Sequence, residues 1–489
     1  MLEYGLMAPA MFAGLIAFML FGFPVAFSLS ALGLSFGLMA IEVGYFGPEF
    51  LQALPYRIFG IMSNDLLLAI PFFTFMGTIL ERSGLAEDLL ESMGQLFGPV
   101  PGGLAYAVIF VGAILGAITG TVAASVIAMG MISLPVMLKY GYDMRIGTGV
   151  IAASGTITQV IPPSLVLIVL ADQLGVSVGD MYLGAVGPSI LQITLFTLFI
   201  LAVSIFQPHK VPPLPAEART LRGWALVSKA LWGMVPSLVL IFLVLGTIFL
   251  GLATPTEAGA MGVVGAILLA LLHGRFSAHL LWQAMFSTAR LTAMVVFILV
   301  GATVFSLVFQ GVNGGRWIEH LLSSMPGGVI GFLIFVNIFI FFLAFFLDFF
   351  EIVFIVVPML VPVAASLDIN LVWFGLLLCV NMQTSFMHPP FGFALFYLRG
   401  IAPKEVKTSD IYWGSIPWIC LQLMLVAILI FWPESVTYWI GEHHELDPAA
   451  VQDALDNLTV PGLDDPAAGN MPALDFGAPP ALDLSNPNP

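Results

Sequence analysis

Charge is what this chain has least of. Only 9% of its 489 residues are Asp, Glu, Lys or Arg, and only 14 are Lys or Arg; a soluble globular chain carries about 25% charged residues. So sparse a basic surface excludes nucleic acid as a partner. Cysteine is nearly missing: Cys379 and Cys420 both lie in apolar runs, which excludes a disulfide framework and a cysteine metal site. The histidines fall far apart, at 209, 273, 279, 320, 388, 443 and 444, so no cluster presents itself for bond chemistry. A Gly-x-x-x-x-Gly-Lys-Ser/Thr loop to hold ATP is also absent. The chain is therefore expected not to be an enzyme and to need no cofactor. Its start, MLEYGLMAPAMF, lacks the basic stretch of a cleaved signal, so the first segment reads as a retained membrane helix.

Apolar residues fill the space that charge leaves. They make up 60% of the chain, with a mean hydropathy of +1.04. Even a large soluble domain keeps a polar skin, so the solvent for this surface is a lipid bilayer. Long unbroken runs, rather than alternating ones, exclude a β-barrel and predict an all-α polytopic membrane protein. The runs lie at roughly 6–41, 60–80, 103–137, 146–171, 181–206, 231–273, 284–312, 327–366, 371–398 and 411–433. Two of them, 103–137 and 327–366, are interrupted halfway, by Gly116-Ala-Ile-Thr119-Gly120-Thr121 and by Asp348-Phe-Phe-Glu351. A re-entrant helical hairpin accounts for both the length and the break. Non-helical backbone at membrane depth is tolerated where protein or a water-filled cavity covers it.

The chain repeats itself. Pro135 and Pro162 stand 27 residues apart, as do Pro362 and Pro389, at an offset of 227. The same offset carries Pro162-Pro163 onto Pro389-Pro390 and Gly187 onto Gly414. Upstream, Glu87–Met93 resembles Glu319–Met325, and each is followed by Pro-Gly-Gly, at 101–103 and 326–328. Several matches in register define a first repeat over 1–205, a linker over 206–231 and a second repeat over 232–435. Each half holds about five crossings plus one hairpin. An odd number of crossings sets the second copy upside down, as in transporters built from inverted repeats. With that topology 11 of the 14 basic residues share one face, which the positive-inside rule makes cytoplasmic, leaving both termini outside. The remainder, 436–489, is acidic and rich in Pro, Ala and Gly, and is expected to be a disordered periplasmic tail.

Several strings now stand in order: Gly116-Ala-Ile-Thr-Gly120-Thr-Val-Ala-Ala-Ser125, Leu134-Pro-Val-Met137, Ile161-Pro-Pro-Ser164, Ala253-Thr-Pro-Thr-Glu-Ala-Gly-Ala-Met261 and the second double proline at 389. Together they resemble the large permease (DctM-like) subunit of tripartite ATP-independent periplasmic (TRAP) transporters, over nearly all of 1–435. At the first hairpin tip many relatives have Gly-Ser-Ser where this chain has Gly120-Thr121-Val122, and the second double proline follows His388 rather than Thr. The resemblance implies an elevator-type, ion-transporter-like fold in which two hairpin tips and two broken helices enclose cargo and sodium. It implies three further participants: a small membrane subunit, a periplasmic solute-binding protein and a small organic acid anion of the dicarboxylate or 2-oxo acid type. It also implies sodium as the coupling ion and the bacterial inner membrane as the location.

Unwound helices free backbone carbonyls for a hard cation and helix N-termini for an anion. On that basis the sodium ligands are expected among Thr119, Gly120, Gly155, Thr156, Thr158, Pro162, Glu351, Asn381, Thr384 and Ser385. Cargo contacts are expected from Thr121, Ser125, Ser164, Asp348, Gln383 and His388. Each has an alternative reading. Proline kinks packed by small residues need no ligand. Asp348 and Glu351, costly in an apolar run, could instead sit at a solvated hairpin mouth, and His388 could simply cap the break. Thr254-Pro-Thr-Glu257 has capping-box spacing and reads as scaffold. An uncoupled channel or facilitator is the competing function.

Overall fold

The structure, a computed structural model, describes residues 6–219, 223–323 and 326–440, except for the side chains of residues 19, 20, 85, 86, 118, 119 and 323. Most of the acidic tail expected over 436–489 therefore lies outside the described residues. Among them there is no strand.

The first half runs α1 (Met7–Leu20), α2 (Val25–Val43), α3 (Ala53–Met62), α4 (Asp65–Arg82), α5 (Leu85–Phe97), α6 (Gly103–Thr119), α7 (Val122–Lys139), α8 (Met144–Thr156), α9 (Leu165–Leu174) and α10 (Val178–Phe206). The second half repeats the order: α11 (Trp224–Phe249), α12 (Pro255–Leu272), α13 (Ala278–Gly311), α14 (Gly314–Ser323) and α15 (Gly328–Leu343) come first. Then α16 (Phe349–Glu351) passes through a π turn at Ile352–Val356 into α17 (Val357–Ser366). The half closes with α18 (Leu371–Met382), α19 (Phe393–Ile401), α20 (Thr408–Phe431) and α21 (Glu434–Thr437). The two runs expected as hairpins are each broken in two, into α6 and α7 at Gly120 and into α15 and α16–α17 before Asp348. Both expected broken helices are present, as α8/α9 and α18/α19.

Several sequence-based boundaries move. The run at 60–80 is not one straight crossing: Pro48–Met62 and Asp65–Arg82 meet at a bend of 47°. Asn64 causes the restart, because its side chain accepts a hydrogen bond from the Leu66 N–H and caps α4. Helix α11 begins at Trp224, within the stretch expected as linker. The packed chain also extends past 435: Val436 is fully buried, beside Gly184 of α10. Among the described residues eight helices are long and apolar enough to span a membrane, or nine with the bent pair counted as one. The broken helices fall short of that test because each half-helix has only 9 to 13 residues.

The two halves interlock reciprocally. Helix α2 packs on α13, and α12 packs on α4. Small residues let the backbones approach: a Cβ on Gly301 would lie 2.5 Å from the Ala26 carbonyl oxygen, and one on Gly33 would lie 2.9 Å from Val304. Gly259 and Gly262 do the same against Phe72, Phe73 and Met76. The Thr254–Glu257 capping box forms as its spacing predicts: Thr254 Oγ1 accepts from the Glu257 N–H, and Glu257 Oε2 accepts from the Thr254 N–H at 2.8 Å. Three exposed ion pairs, Arg145–Asp410, Lys229–Glu91 and Arg275–Asp88, each join one half to the other. At the surface such pairs contribute little stability.

Candidate functional site

Hairpin 1 grips the first broken helix through close backbone contact. Gly112 and Gly116, one turn apart on α6, face α8 and the turn after it. A Cβ there would lie 2.7 Å from Ser154 Cβ and 2.9 Å from Thr158 Cα. From the other side Gly155 of α8 abuts Val126 of α7. Between the arms Gly120 takes φ +61°, a left-handed conformation open to glycine, and ends α6. Hairpin 2 holds its broken helix with an amide pair instead. Asn381 Nδ2 donates to the Asn337 carbonyl (2.7 Å) and to Asn337 Oδ1 (3.0 Å), while Asn337 Nδ2 donates to the Leu333 carbonyl at 2.8 Å.

The two breaks lie side by side. Cys379 Sγ donates to the Gln159 carbonyl at 3.7 Å. Gln422 of α20 bridges them, donating from Nε2 to Thr156 Oγ1 (3.2 Å) and to Gln383 Oε1 (3.1 Å). Gln192 of α10 donates to the same Gln383 oxygen at 2.6 Å. At the repeat offset of 227, Gln383 is the counterpart of Thr156. Gln422 thus ties together equivalent points of the two halves. Neither Gln192 nor Gln422 was among the expected site residues, although amides in long apolar runs were the available signal. Both double prolines, 162–163 and 389–390, are joined by cis peptide bonds.

A cavity of about 260 Å³ opens where these parts converge. Hairpin 1 contributes Gly120–Ala123, hairpin 2 contributes Asp348–Phe350, and the breaks contribute Gln159, Leu165 and Phe386. Helix α19 adds Phe393 and Tyr397, and α13 closes the wall with Leu291 and Met294. Beside it, a second cavity of about 330 Å³ lies between hairpin 2 and the second break, bordered by Ala344–Asp348, Ser385 and Phe393. A tight crevice on the first side brings Gly120, Thr121 and Pro163 against Thr74 of α4.

The sequence-selected residues divide on this geometry. Gly120, Thr121 and Asp348 line the central cavity, and Ser385 lines the adjoining one with its buried hydroxyl unpaired. Gln383 does not reach the cavity lining, because both neighbouring glutamines hold its oxygen. Asn381 uses its amide nitrogen on Asn337, while its buried Oδ1 has no hydrogen-bond partner. Thr156, Thr158 and Thr384 are fully buried, and each hydroxyl donates to a carbonyl of its own helix, Ala153, Gly155 and Asn381. Ser164 caps α9, accepting from the Val166 N–H at 3.2 Å and donating to the Gln159 carbonyl at 2.7 Å. Ser125 is buried within α7, Gly155 serves packing, and Pro162 forms the break rather than the lining. The Thr119 side chain lies outside the described residues. His388 is buried with its ring stacked on Phe345 (4.1 Å) and edge-on to Phe341 (4.5 Å). Asp348 and Glu351 form a capping box. Asp348 Oδ1 accepts from the Glu351 N–H at 3.0 Å, and Glu351 Oε2 accepts from the Asp348 N–H at 2.9 Å. Among the described residues no group of three or more His, Cys, Asp or Glu could hold a metal ion.

Residues 12–435 match the family model described as "Tripartite ATP-independent periplasmic transporter, DctM component". The chain belongs to this family. It is a TRAP large permease subunit, a multi-pass membrane protein of a secondary transporter class, and its relatives are named as permeases rather than enzymes. It is similar to the C4-dicarboxylate TRAP transporter large permease protein DctM of Pseudomonas aeruginosa, at 30% identity over 82% of this chain and 93% of that one. It is likewise similar to the ectoine/5-hydroxyectoine TRAP transporter large permease protein UehC of Ruegeria pomeroyi, at 28% identity over 76% and 85%. Among solved structures, the YdaH transporter of Alcanivorax borkumensis shares the fold, with a TM-score of 0.62 at 15% identity over 86% of this chain and 98% of that one.

Proposed function

We propose that this TRAP permease drives sodium-coupled uptake of a small organic acid anion, of the dicarboxylate or 2-oxo acid type, across the bacterial inner membrane. The cavity between the two hairpin tips carries this reading, because it joins one tip and one break from each half. Five crossings per half invert the second copy and bring unwound backbone from both sides to mid-membrane. Sodium is a co-substrate here. The Gly120–Thr121 tip with the first break, and the Asp348 tip with Ser385 and the second break, each offer it oxygen ligands, the donors a hard cation takes. Hairpins and broken helices form the moving body of an elevator, and the interlocked α2, α4, α12 and α13 form its support. A small membrane subunit braces that support, and a periplasmic binding protein delivers the cargo on the side where both termini emerge. Reconstitution of the chain with both partners in liposomes tests this. Uptake should require an inward sodium gradient and collapse without it. Equal uptake after the gradient is abolished would establish an uncoupled facilitator, and ion flow without cargo a channel.

A further inference from the structure

A third cavity, of about 120 Å³, shares no lining residue with the two at the hairpin tips. Eleven residues line it, and all are apolar or aromatic. Phe12 comes from α1 and four come from α14; the others belong to α15, α17 and the π turn before α17. An apolar cavity of this size stays dry, and its lining forfeits dispersion contacts while nothing fills it. Two lining residues, Leu321 and Phe335, are 37% and 38% exposed, so the cavity opens to its surroundings. In a bilayer those surroundings are hydrocarbon.

Helix α14 decides which lipid meets this opening. Trp317, Ile318, Leu321 and Leu322 line the cavity from one face of the helix, and Arg316 and Glu319 stand on the opposite face. A helix divided in this way lies along the membrane surface, with its apolar side in the acyl region and its polar side among the headgroups. Its counterpart in the first half, α5, commits Asp88 and Glu91 to ion pairs with Arg275 and Lys229. Arg316 and Glu319 are exposed and have no such partner among the described residues. Three residues apart on a helix, their Cβ atoms are separated by about 5–6 Å. One cation and one anion at that spacing match a compact zwitterion, whereas anionic headgroups are taken by clusters of Lys and Arg.

We infer that this flank of the protein binds one aminophospholipid. An acyl chain fills the cavity, the phosphate rests on Arg316 and the primary ammonium on Glu319. The chain packs between α1, α14 and both arms of hairpin 2, and so braces that hairpin from the bilayer side. The inference is independent of what the permease carries.

The test takes the full chain, alone and with its small membrane subunit, stripped of lipid in mild detergent. It is titrated with phosphatidylethanolamine, phosphatidylcholine or phosphatidylglycerol of equal chain length, and native mass spectrometry counts the lipids retained. We expect one phosphatidylethanolamine held at least about 10-fold more tightly than either other lipid, the worth of one charge-assisted hydrogen bond. Phosphatidylcholine has no ammonium hydrogens, and phosphatidylglycerol has no cation. E319Q should erase the preference, and R316Q should weaken all three lipids; both side chains are exposed, so folding is not at stake. L321W, at the open side, should fill the cavity and displace the lipid. Equal retention of the three lipids would overturn the headgroup assignment, and retention unchanged in L321W would overturn the seat of the chain. A lipid held by the chain alone but expelled by the small subunit would give the cavity to a helix of that subunit and overturn the site.

Discussion

Replacing Gln383 by Met should loosen the centre of the protein by an amount that the geometry bounds. Gln383 is fully buried, and its Oε1 accepts from Gln192 at 2.6 Å and from Gln422 at 3.1 Å. Methionine fills a similar volume and removes the acceptor. Gln192 then loses the partner of its amide nitrogen, whereas Gln422 retains Thr156 Oγ1 at 3.2 Å. Interhelical hydrogen bonds in membrane bundles average about 0.6 kcal/mol and reach about 1.7. Two bonds of unequal consequence, offset in part by removal of the unpartnered Gln383 Nε2, set the loss at no more than about 1–2 kcal/mol, most of it on the Gln192 side. Unfolding of Q383M, Q192M and the double variant by SDS in mixed micelles measures this. The cycle should return a coupling of about 0.6–1.7 kcal/mol, because the second substitution removes the group that the first left unpaired. Losses that simply add, to within about 0.3 kcal/mol, would mean that the 2.6 Å contact carries no energy and that packing alone joins α10 to the second break.

Two further substitutions separate scaffold from site. T254V removes the acceptor for the Glu257 N–H and should cost about 1 kcal/mol of stability, with uptake per folded molecule unchanged; uptake falling further than the folded fraction would show that this turn takes part in transport. D348N keeps an oxygen to accept from the Glu351 N–H but removes the formal charge, so folded yield should hold while the sodium concentration for half-maximal uptake rises at least about threefold, a factor worth about 0.65 kcal/mol; unchanged sodium dependence would confine Asp348 to capping.

What could be read from the sequence was periodic or local. The 227-residue offset located both breaks because proline leaves the same mark in each half whatever surrounds it. Thr254–Glu257 was legible as a cap because the whole device fits within four residues. Asp348-Phe-Phe-Glu351 has the same three-residue spacing, yet two acids in an apolar run invite a functional reading before a capping one. The hydrogen bonds show that both acids are engaged in the cap. Gln192 and Gln422 were visible as amides among apolar residues, but they stand 230 apart rather than 227, so the repeat did not pair them. Their meeting at Gln383 depends on how α10 and α20 cross the broken helices, which no local pattern encodes. Asn337 escaped for the same reason. The bend before α4 was hidden because apolar residues continue across it, and only the capping side chain of Asn64 gives it away.

The repeat makes two hairpins of one plan, and the side chains make them unequal. Hairpin 1 meets its broken helix through glycines on both faces, so backbone lies against backbone over Gly112, Gly116 and Gly155, and displacement would open a void along the whole contact. Packed interiors resist that, since even small gaps forfeit much of the dispersion energy. Hairpin 2 meets its partner through the Asn337–Asn381 amides and stacked rings such as Phe332 on Phe374, 6.0 Å apart, contacts that can be exchanged one at a time. Its second arm begins with a π turn, a distortion that recurs at functional sites, and its tip faces a cavity on each side. Its two carboxylates accept backbone N–H bonds within the capping box, and among the described residues no Lys or Arg pairs with either, so moving the tip would break no ion pair. On the proposed transport reading, cargo would travel with hairpin 1 and its broken helix, and hairpin 2 would be the one to open over it.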